Sequence, residues 1–362
     1  MIMASAIQES SRDKILEAVA HYAPVPRRQS NDPLLFNIDH CFSLKGKGTI
    51  LTGTILSGKL SINDTIELPL QGESRKVKSM QQFHTPISSA QQGDRVGVCC
   101  AGLDPKSIER AIACSPGYLK PRRWAIAAVR KIRHYKSTIQ SGFKFHISVG
   151  HSTTLATVTV FGDSFTMKDH PVASHSSFRV GASQGVKFDY DKEFQYRETL
   201  EEAEMSEHEH HTSGNFQWLF MSFENPVLVP YGGLLIGSKL DTDIRSKACR
   251  IAFFGYAAEN MGDRTPCLFK PKERFGKVER VTKGGDGEKI PTEIIGTGMF
   301  SKETDMSKFI GKQILCQETS TTFTLESAFG KSGKFKCSTR EPCIIEKGTT
   351  LVMYLRKYIQ LG

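Results

Sequence analysis

Between Asp13 and Tyr22 the apolar residues Ile15, Leu16, Val19 and Ala20 recur at the three-to-four spacing of one helix face, and Ser11 stands where a cap would be. The stretch APVPRRQSNDP that follows carries three prolines and reads as a linker. From Leu34 the period changes to two, as strands require. Alternating runs at Leu34–Ile38, Thr49–Leu56, Thr65–Leu68, Arg75–Met80 and Arg95–Cys99 form a first group of predicted strands. A second comprises Ala125–Arg133, Lys144–Val149, Thr154–Phe161, Trp218–Phe223, Leu234–Ser238 and Cys249–Phe254. A third comprises Phe275–Val281, Thr292–Gly296, Gln313–Gln317, Thr322–Ser327, Gly333–Cys337 and Thr350–Leu355. Many short strands, one helix and Gly or Asx turns imply an all-β architecture of barrels or sandwiches.

Length and composition then narrow the picture. A chain of 362 residues is too long for one ordinary core, and 39% hydrophobic with 24% charged residues describes a globular chain. No apolar run is long enough to span a membrane, and the polar start lacks the layout of a secretory leader. The nine cysteines are scattered and none forms a C-x-x-C pair, so reduced thiols in a cytoplasmic or nuclear protein are expected rather than a disulfide scaffold or structural zinc. Cys99-Cys100 is expected to point to opposite faces of one strand, and Met80 and Phe83 to lie in a core.

The net charge of +10 is uneven. Residues 33–116 carry +2, 117–197 carry +8, 198–211 carry −6 and 262–362 carry +6. A basic balance permits a polyanion as partner, although scattered Lys and Arg also describe an ordinary solvated surface. In the acidic run Glu198–His211 only Leu200, Ala203 and Met205 are apolar, so it reads as an exposed loop insertion. His208, His210 and His211 within it lack the fixed geometry of a metal site, and no metal is expected.

The chain contains no G-x-x-x-x-G-K-[ST] loop. Gly330-Lys331-Ser332 has Leu325 where the first glycine belongs, so backbone N–H groups cannot cradle phosphates there. Asp94-Arg95-Val96-Gly97 and Ser238-Lys239-Leu240-Asp241 imitate GTPase motifs but are short, common patterns on predicted strands or turns. No nucleophile elbow or H-E-x-x-H occurs, and no catalytic residue is assigned.

Four ordered segments carry a resemblance: DHCFSLKGKGTILTGTILSGKL from Asp39 to Leu60, Asn63-Asp64 with Thr65–Leu68, Val77–His84, and Gln92–Val98. Together they resemble the second domain of translational GTPases of the elongation factor Tu kind, a β-barrel that holds the aminoacylated end of tRNA. With KVKSMQQFHTPISSAQQGDRVGV and ESAFGKSGKFK, the chain from about residue 33 onward is similar to the eukaryotic selenocysteine-specific elongation factor family. The resemblance implies a remnant of the last helix of a GTP-binding domain and a linker at 1–32, and a domain-two barrel at 33–118. It further implies a domain-three barrel at 119–262 with the acidic insertion, and a C-terminal β domain at 263–362.

In function it implies delivery of selenocysteinyl-tRNA at UGA codons, with the ribosome, the selenocysteine insertion RNA element and its binding protein as partners. The protein would be cytoplasmic or also nuclear, monomeric and off the membrane. GTP and magnesium would belong to the family's GTP-binding domain, so no cofactor and no intrinsic GTPase activity are expected of this chain. Two alternatives stay open: a portion of a general translational GTPase carrying another aminoacyl-tRNA, or a non-delivering interaction protein built from the same barrels.

A selenol ionises more readily than a thiol, whose ordinary pKa is about 8.5. A pocket preferring it over serine should therefore present cations and donors. The family's pocket positions fall on Asp39, His40 and Arg95. An inter-strand ion pair with a surface histidine would read the same way. For RNA contact, Arg122, Arg123, Arg130, Lys131 and Arg133, with Lys136 and the interleaved Trp124 and Tyr135, offer charge and stacking. In a predicted hairpin Lys331, Lys334 and Lys336 alternate with Phe329 and Phe335.

Overall fold

The computed structural model describes residues 4–5, 7–23, 28, 31–46, 48–108, 110–163, 178–179, 187–201, 215–241, 248–258, 262–282, 293–330, 332–339 and 343–361. The predicted all-β class holds: among the described residues one α-helix precedes twenty-three strands. Packing divides the chain into two compact units. One comprises Met1–Ala127, Lys144–Thr157 and Met221–Glu259; the other comprises Ala128–Phe143, Val158–Phe220 and Asn260–Gly362.

In the first unit, helix α1 (Glu9–Tyr22) begins four residues before the apolar spacing does. Ser11 is not its cap. Gln8 holds that position without a side-chain bond, and the Ser11 hydroxyl accepts from the Ser5 N–H at 3.0 Å. The face predicted from Ile15, Leu16 and Val19 is exposed.

Strands β1 (Leu35–Leu44), β2 (Gly48–Ser57), β3 (Lys59–Ser61), β4 (Thr65–Leu68), β5 (Glu73–Gln82), β6 (Thr85–Ile87), β7 (Ser89–Gln91), β8 (Arg95–Cys100) and β9 (Ile112–Cys114) follow. Hydrogen bonding runs β4-β9-β1-β2-β8-β5, and β5 pairs again with β4, so the sheet closes into a barrel and leaves no free edge among these strands. Its core holds Phe36, Ile38, Leu51, Ile55, Ile66, Val77, Met80 and Val98. Gly53 is obligatory: a Cβ there would stand 1.9 Å from the Asn37 carbonyl oxygen.

Strands β10 (Arg122–Lys131), β11 (Lys144–Val149), β12 (Ser152–Asp163), β13 (Phe178–Arg179), β14 (Glu193–Arg197), β15 (Asn215–Val227), β16 (Leu234–Ser238) and β17 (Ile251–Ala257) come next. In the first unit β16 pairs antiparallel with both β11 and β17. Phe253 lies across Gly237 directly opposite, where a Cβ would sit 2.2 Å from the ring.

In the second unit Phe161, Phe188, Phe194 and Trp218 form an aromatic cluster, Phe188 stacking on Phe194 at 4.9 Å. Leu200 corrects the reading of the acidic run as exposed from its start. It is 3% exposed and its N–H bonds the Ile139 carbonyl, so the run is anchored through residue 201. The rest of that run, with its three histidines, lies outside the described residues. Strands β18 (Cys267–Thr282), β19 (Glu293–Thr297), β20 (Gln313–Cys316), β21 (Thr322–Phe329), β22 (Lys334–Ser338) and β23 (Thr350–Ile359) pair in the ring β18-β19-β22-β21-β20-β23, closed by β23 on β18. Ile314, Phe323, Leu325, Phe335, Leu351 and Met353 fill it. Phe335 covers Gly296 opposite it, again at a spacing that admits no Cβ.

Candidate functional site

Two irregularities turn one flank of the first barrel into a site. In the β1–β2 ladder Ile38 faces Gly53 and His40 faces Thr52, which makes Asp39 a supernumerary bulge residue. One extra residue inverts the alternation beyond it. Phe36 and Ile38 point into the core, whereas Cys41 takes the inward parity, opposite Leu51, and Phe42 and Leu44 face outward. A second shift, between Val77 and Ser79 of β5, lets Val77 and Met80 both face the core.

The outward residues line a cleft of about 560 Å³: Phe42, Leu44, Ile50 and Thr52, then Ser79, Gln81, Arg95, Gly97 and Cys99, with Phe83 and His84 at the rim. His40 shares this face through its pairing with Thr52. The rim is a two-residue turn between Gln82 and Thr85, with φ +48° at Phe83 and +66° at His84. Such turns match the twist of a hairpin but ordinarily use Asn or Gly, so two bulky residues there store strain. Phe83 is 83% exposed and not in the core, contrary to the sequence expectation; Met80, at 1%, is in the core as expected.

Arg95 reaches across β2 so that its Nη1 lies 2.5 Å from Asp39 Oδ2. Asp39 Oδ1 lies 3.7 Å from Nε2 of His151, a residue the sequence reading did not single out. His40 is exposed, and its carbonyl accepts from the Thr52 hydroxyl at 3.4 Å. The arrangement is an open, largely apolar cleft with a guanidinium in its wall and a carboxylate behind the guanidinium. Beside it, burial pushes the Cys41 thiol up to about 11 and the Cys100 thiol up to about 12. Both remain protonated at neutral pH and unsuited to redox chemistry. Among the described residues no cluster of His, Cys, Asp or Glu could hold a metal.

The basic residues fare unevenly. In the first unit the Arg123 guanidinium donates to the Glu224 carbonyl at 3.2 Å, and that of Arg122 lies 5.9 Å from the Trp124 ring centre. In the second unit Arg133 and Lys136 are exposed and Lys131 is half-buried. Arg130 is only 8% exposed and Tyr135 only 7%, which withdraws the first from phosphate contact and the second from base stacking. Lys334 Nζ lies 2.5 Å from Glu279 Oε1. Lys336 Nζ lies 2.9 Å from Glu293 Oε1 and 3.8 Å from Glu326 Oε2. The Glu293 carboxylate, as the leading cause, raises the Lys336 pKa. Both lysines are thus committed to carboxylates, and Phe335 is core rather than a stacking surface. Lys331 lies outside the described residues.

The closed barrel with the ion-paired cleft on its flank is the part of the chain that is similar to a translation-factor barrel. The family model for elongation factor Tu domain 2 matches residues 48–111. The model for the third domain of eukaryotic selenocysteine-specific elongation factors matches 126–255, and that for their C-terminal RIFT domain matches 266–358. The mouse selenocysteine-specific elongation factor is 36% identical over 349 residues, covering 89% of this chain and 56% of that protein. The factor of Methanocaldococcus jannaschii is 27% identical over 314 residues, covering 85% and 56%. The chain is thus similar to the selenocysteine-specific elongation factors in these three domains, and it spans about half the length of the curated relatives it matches. Crystal structures of translation elongation factor SelB from Methanococcus maripaludis share the fold. The apo form has a TM-score of 0.71 at 21% identity, covering 97% of this chain and 66% of that one. The complex with the GTP analogue GppNHp has a TM-score of 0.64 at 21% identity, covering 96% and 67%.

Proposed function

We propose that this chain binds the aminoacylated end of selenocysteinyl-tRNA for incorporation at UGA codons, with Asp39, His40 and Arg95 forming the amino-acid pocket. The observation that carries the reading is the Arg95–Asp39 ion pair in the wall of the cleft. The carboxylate holds a permanent cation in place, and that cation faces a space large enough for a small side chain and an adjoining planar group. A selenolate would gain a charge-assisted contact that neutral serine cannot offer. His40 on the same face would supply a donor, or a second charge when protonated. The apolar walls from Phe42, Ile50 and Phe83 suit the nucleoside to which the amino acid is esterified. Selectivity of this kind is worth a factor on the order of 10² or more.

The ribosome, the selenocysteine insertion RNA element and its binding protein are the partners this reading entails, with the chain acting as a cytoplasmic or nuclear monomer. No described helix is long and apolar enough to cross a membrane. For RNA backbone contact the exposed Arg133 and Lys136 are better placed than Arg130, Lys334 or Lys336. The deciding experiment compares binding of selenocysteinyl- and seryl-tRNA by this chain under reducing conditions, with and without Arg95→Ala. A marked preference that collapses in the variant is expected. Equal affinity of the native chain for the two tRNAs would overturn the selenocysteine assignment.

A further inference from the structure

We infer that His151 is a positioning residue for selenocysteine selectivity, acting on the cleft through Asp39; this rests on the pocket assignment above. His151 and Gly150 form the two-residue turn between β11 and β12, where Val149 pairs with Ser152. Two close approaches place that turn beside the barrel. At Gly150, in the left-handed region at φ +55°, a Cβ would stand 3.4 Å from Ile112 Cδ1, and Ile112 pairs with Asn37 of β1. At His151 the imidazole Nε2 stands 3.7 Å from Asp39 Oδ1, with the two side chains 23% and 28% exposed. The turn therefore meets β1 just where the bulge releases Asp39 from the ladder.

The carboxylate is divided between two partners. Oδ2 holds Arg95 and Oδ1 faces His151. A distance of 3.7 Å is beyond a direct hydrogen bond, so the imidazole acts by occupying the space beside Oδ1 or through a bridging water. A carboxylate on an irregular backbone with one partner could turn about its χ angles and carry the guanidinium with it. With the imidazole beside the second oxygen that rotation is restricted, and Arg95 is held more closely in place. His151 is not a lining residue of the cleft. Its effect should appear only for a ligand that uses Arg95.

The test measures affinity of the full chain for selenocysteinyl-tRNA and seryl-tRNA in His151→Leu, His151→Gln and Arg95→Ala. For His151→Leu the expected result is a loss of about five-fold for selenocysteinyl-tRNA with seryl-tRNA unchanged, a size typical of one partly exposed charged contact. His151→Gln, which keeps a donor near the Nε2 position and serves equally if the leucine variant folds poorly, should recover most of that loss. If Arg95→Ala abolishes the preference while His151→Leu leaves it at the native value, or weakens both tRNAs alike, the role assigned to His151 is wrong and the pocket survives. If Arg95→Ala leaves the preference intact, the pocket assignment itself fails and this inference goes with it.

Discussion

The rim turn offers a perturbation whose sign is unusual. Phe83 and His84 both hold positive φ in a two-residue hairpin loop, a conformation suited to Asn-Gly. Each L-residue in that region costs about 1–2 kcal/mol relative to its preferred backbone. Glycine returns part of the gain, about 0.5–1 kcal/mol, through the entropy of the unfolded chain. Phe83 is 83% exposed, so its removal forfeits little buried area. The double change Phe83→Asn with His84→Gly should therefore stabilise the first barrel by about 1–2 kcal/mol, or roughly ten-fold in the opening equilibrium. Hydrogen exchange resolves the effect by element. Amides of β5 and β8 should exchange about ten-fold more slowly in the regime of global opening, while those of β21 and β22 keep their native rates. The same variant should bind aminoacyl-tRNA less well, because the aromatic rim of the cleft is gone. Faster exchange in β5 would refute the strain argument, since it would mean that Phe83 and His84 stabilise the turn they occupy.

Other consequences can be checked separately. Gly53→Ala should cost at least about 3 kcal/mol, because the new methyl would meet backbone rather than a movable side chain; a native urea midpoint would contradict the close approach to Asn37. Arg133→Ala should weaken RNA binding and lower its salt slope by about one at unchanged melting temperature, whereas Arg130→Ala should lower the melting temperature; the reverse pattern would restore Arg130 as a surface contact. The Tyr358 hydroxyl, and then Arg356, hold the Glu193 carboxyl below its ordinary value of 4.5. A lowered carboxylate contributes stability above that value and loses it as pH falls through the folded one. The stability gap between native protein and Tyr358→Phe should thus be present at neutral pH and close below 4.5, as acid titration by circular dichroism would show; a gap independent of pH would count against the assignment.

Strands with unbroken alternation were legible. Thr65–Leu68, Lys144–Val149 and Leu234–Ser238 are read from sequence to the residue. What escaped has physical causes. The alternating run that begins at Leu34 stops at Ile38 because the Asp39 bulge breaks the period, yet β1 continues to Leu44. Strands β3, β6, β7 and β9 have three residues each, too few to show a period, and β14 is largely polar. At the site, family resemblance singled out Asp39, His40 and Arg95, and the structure joins Asp39 to Arg95 directly. His151 was invisible because it follows Asp39 by more than a hundred positions and carries no motif. Phe83 reads as core from its residue type, and only the backbone dihedrals reveal a turn there. Lys334 and Lys336 appeared as open charge because sequence does not display the carboxylates that strand pairing sets beside them.

Asp39 is an added residue in a strand, not a replaced one. Beyond it the β1–β2 ladder runs on without a further shift from His40 to Leu44, and on its near side a second shift, between Leu35 and Phe36, passes over Leu56 of β2. A carboxylate on such an added residue leaves the pairs from His40 to Leu44 intact while turning Phe42 and Leu44 from one side of the wall to the other. Alignments that confine gaps to loops would then slide the strand by one, setting His40 against other proteins' core positions and Asp39 against nothing meaningful. In similar chains, the residues matching the proposed pocket would be found by counting from Gly53 rather than from the start of the strand.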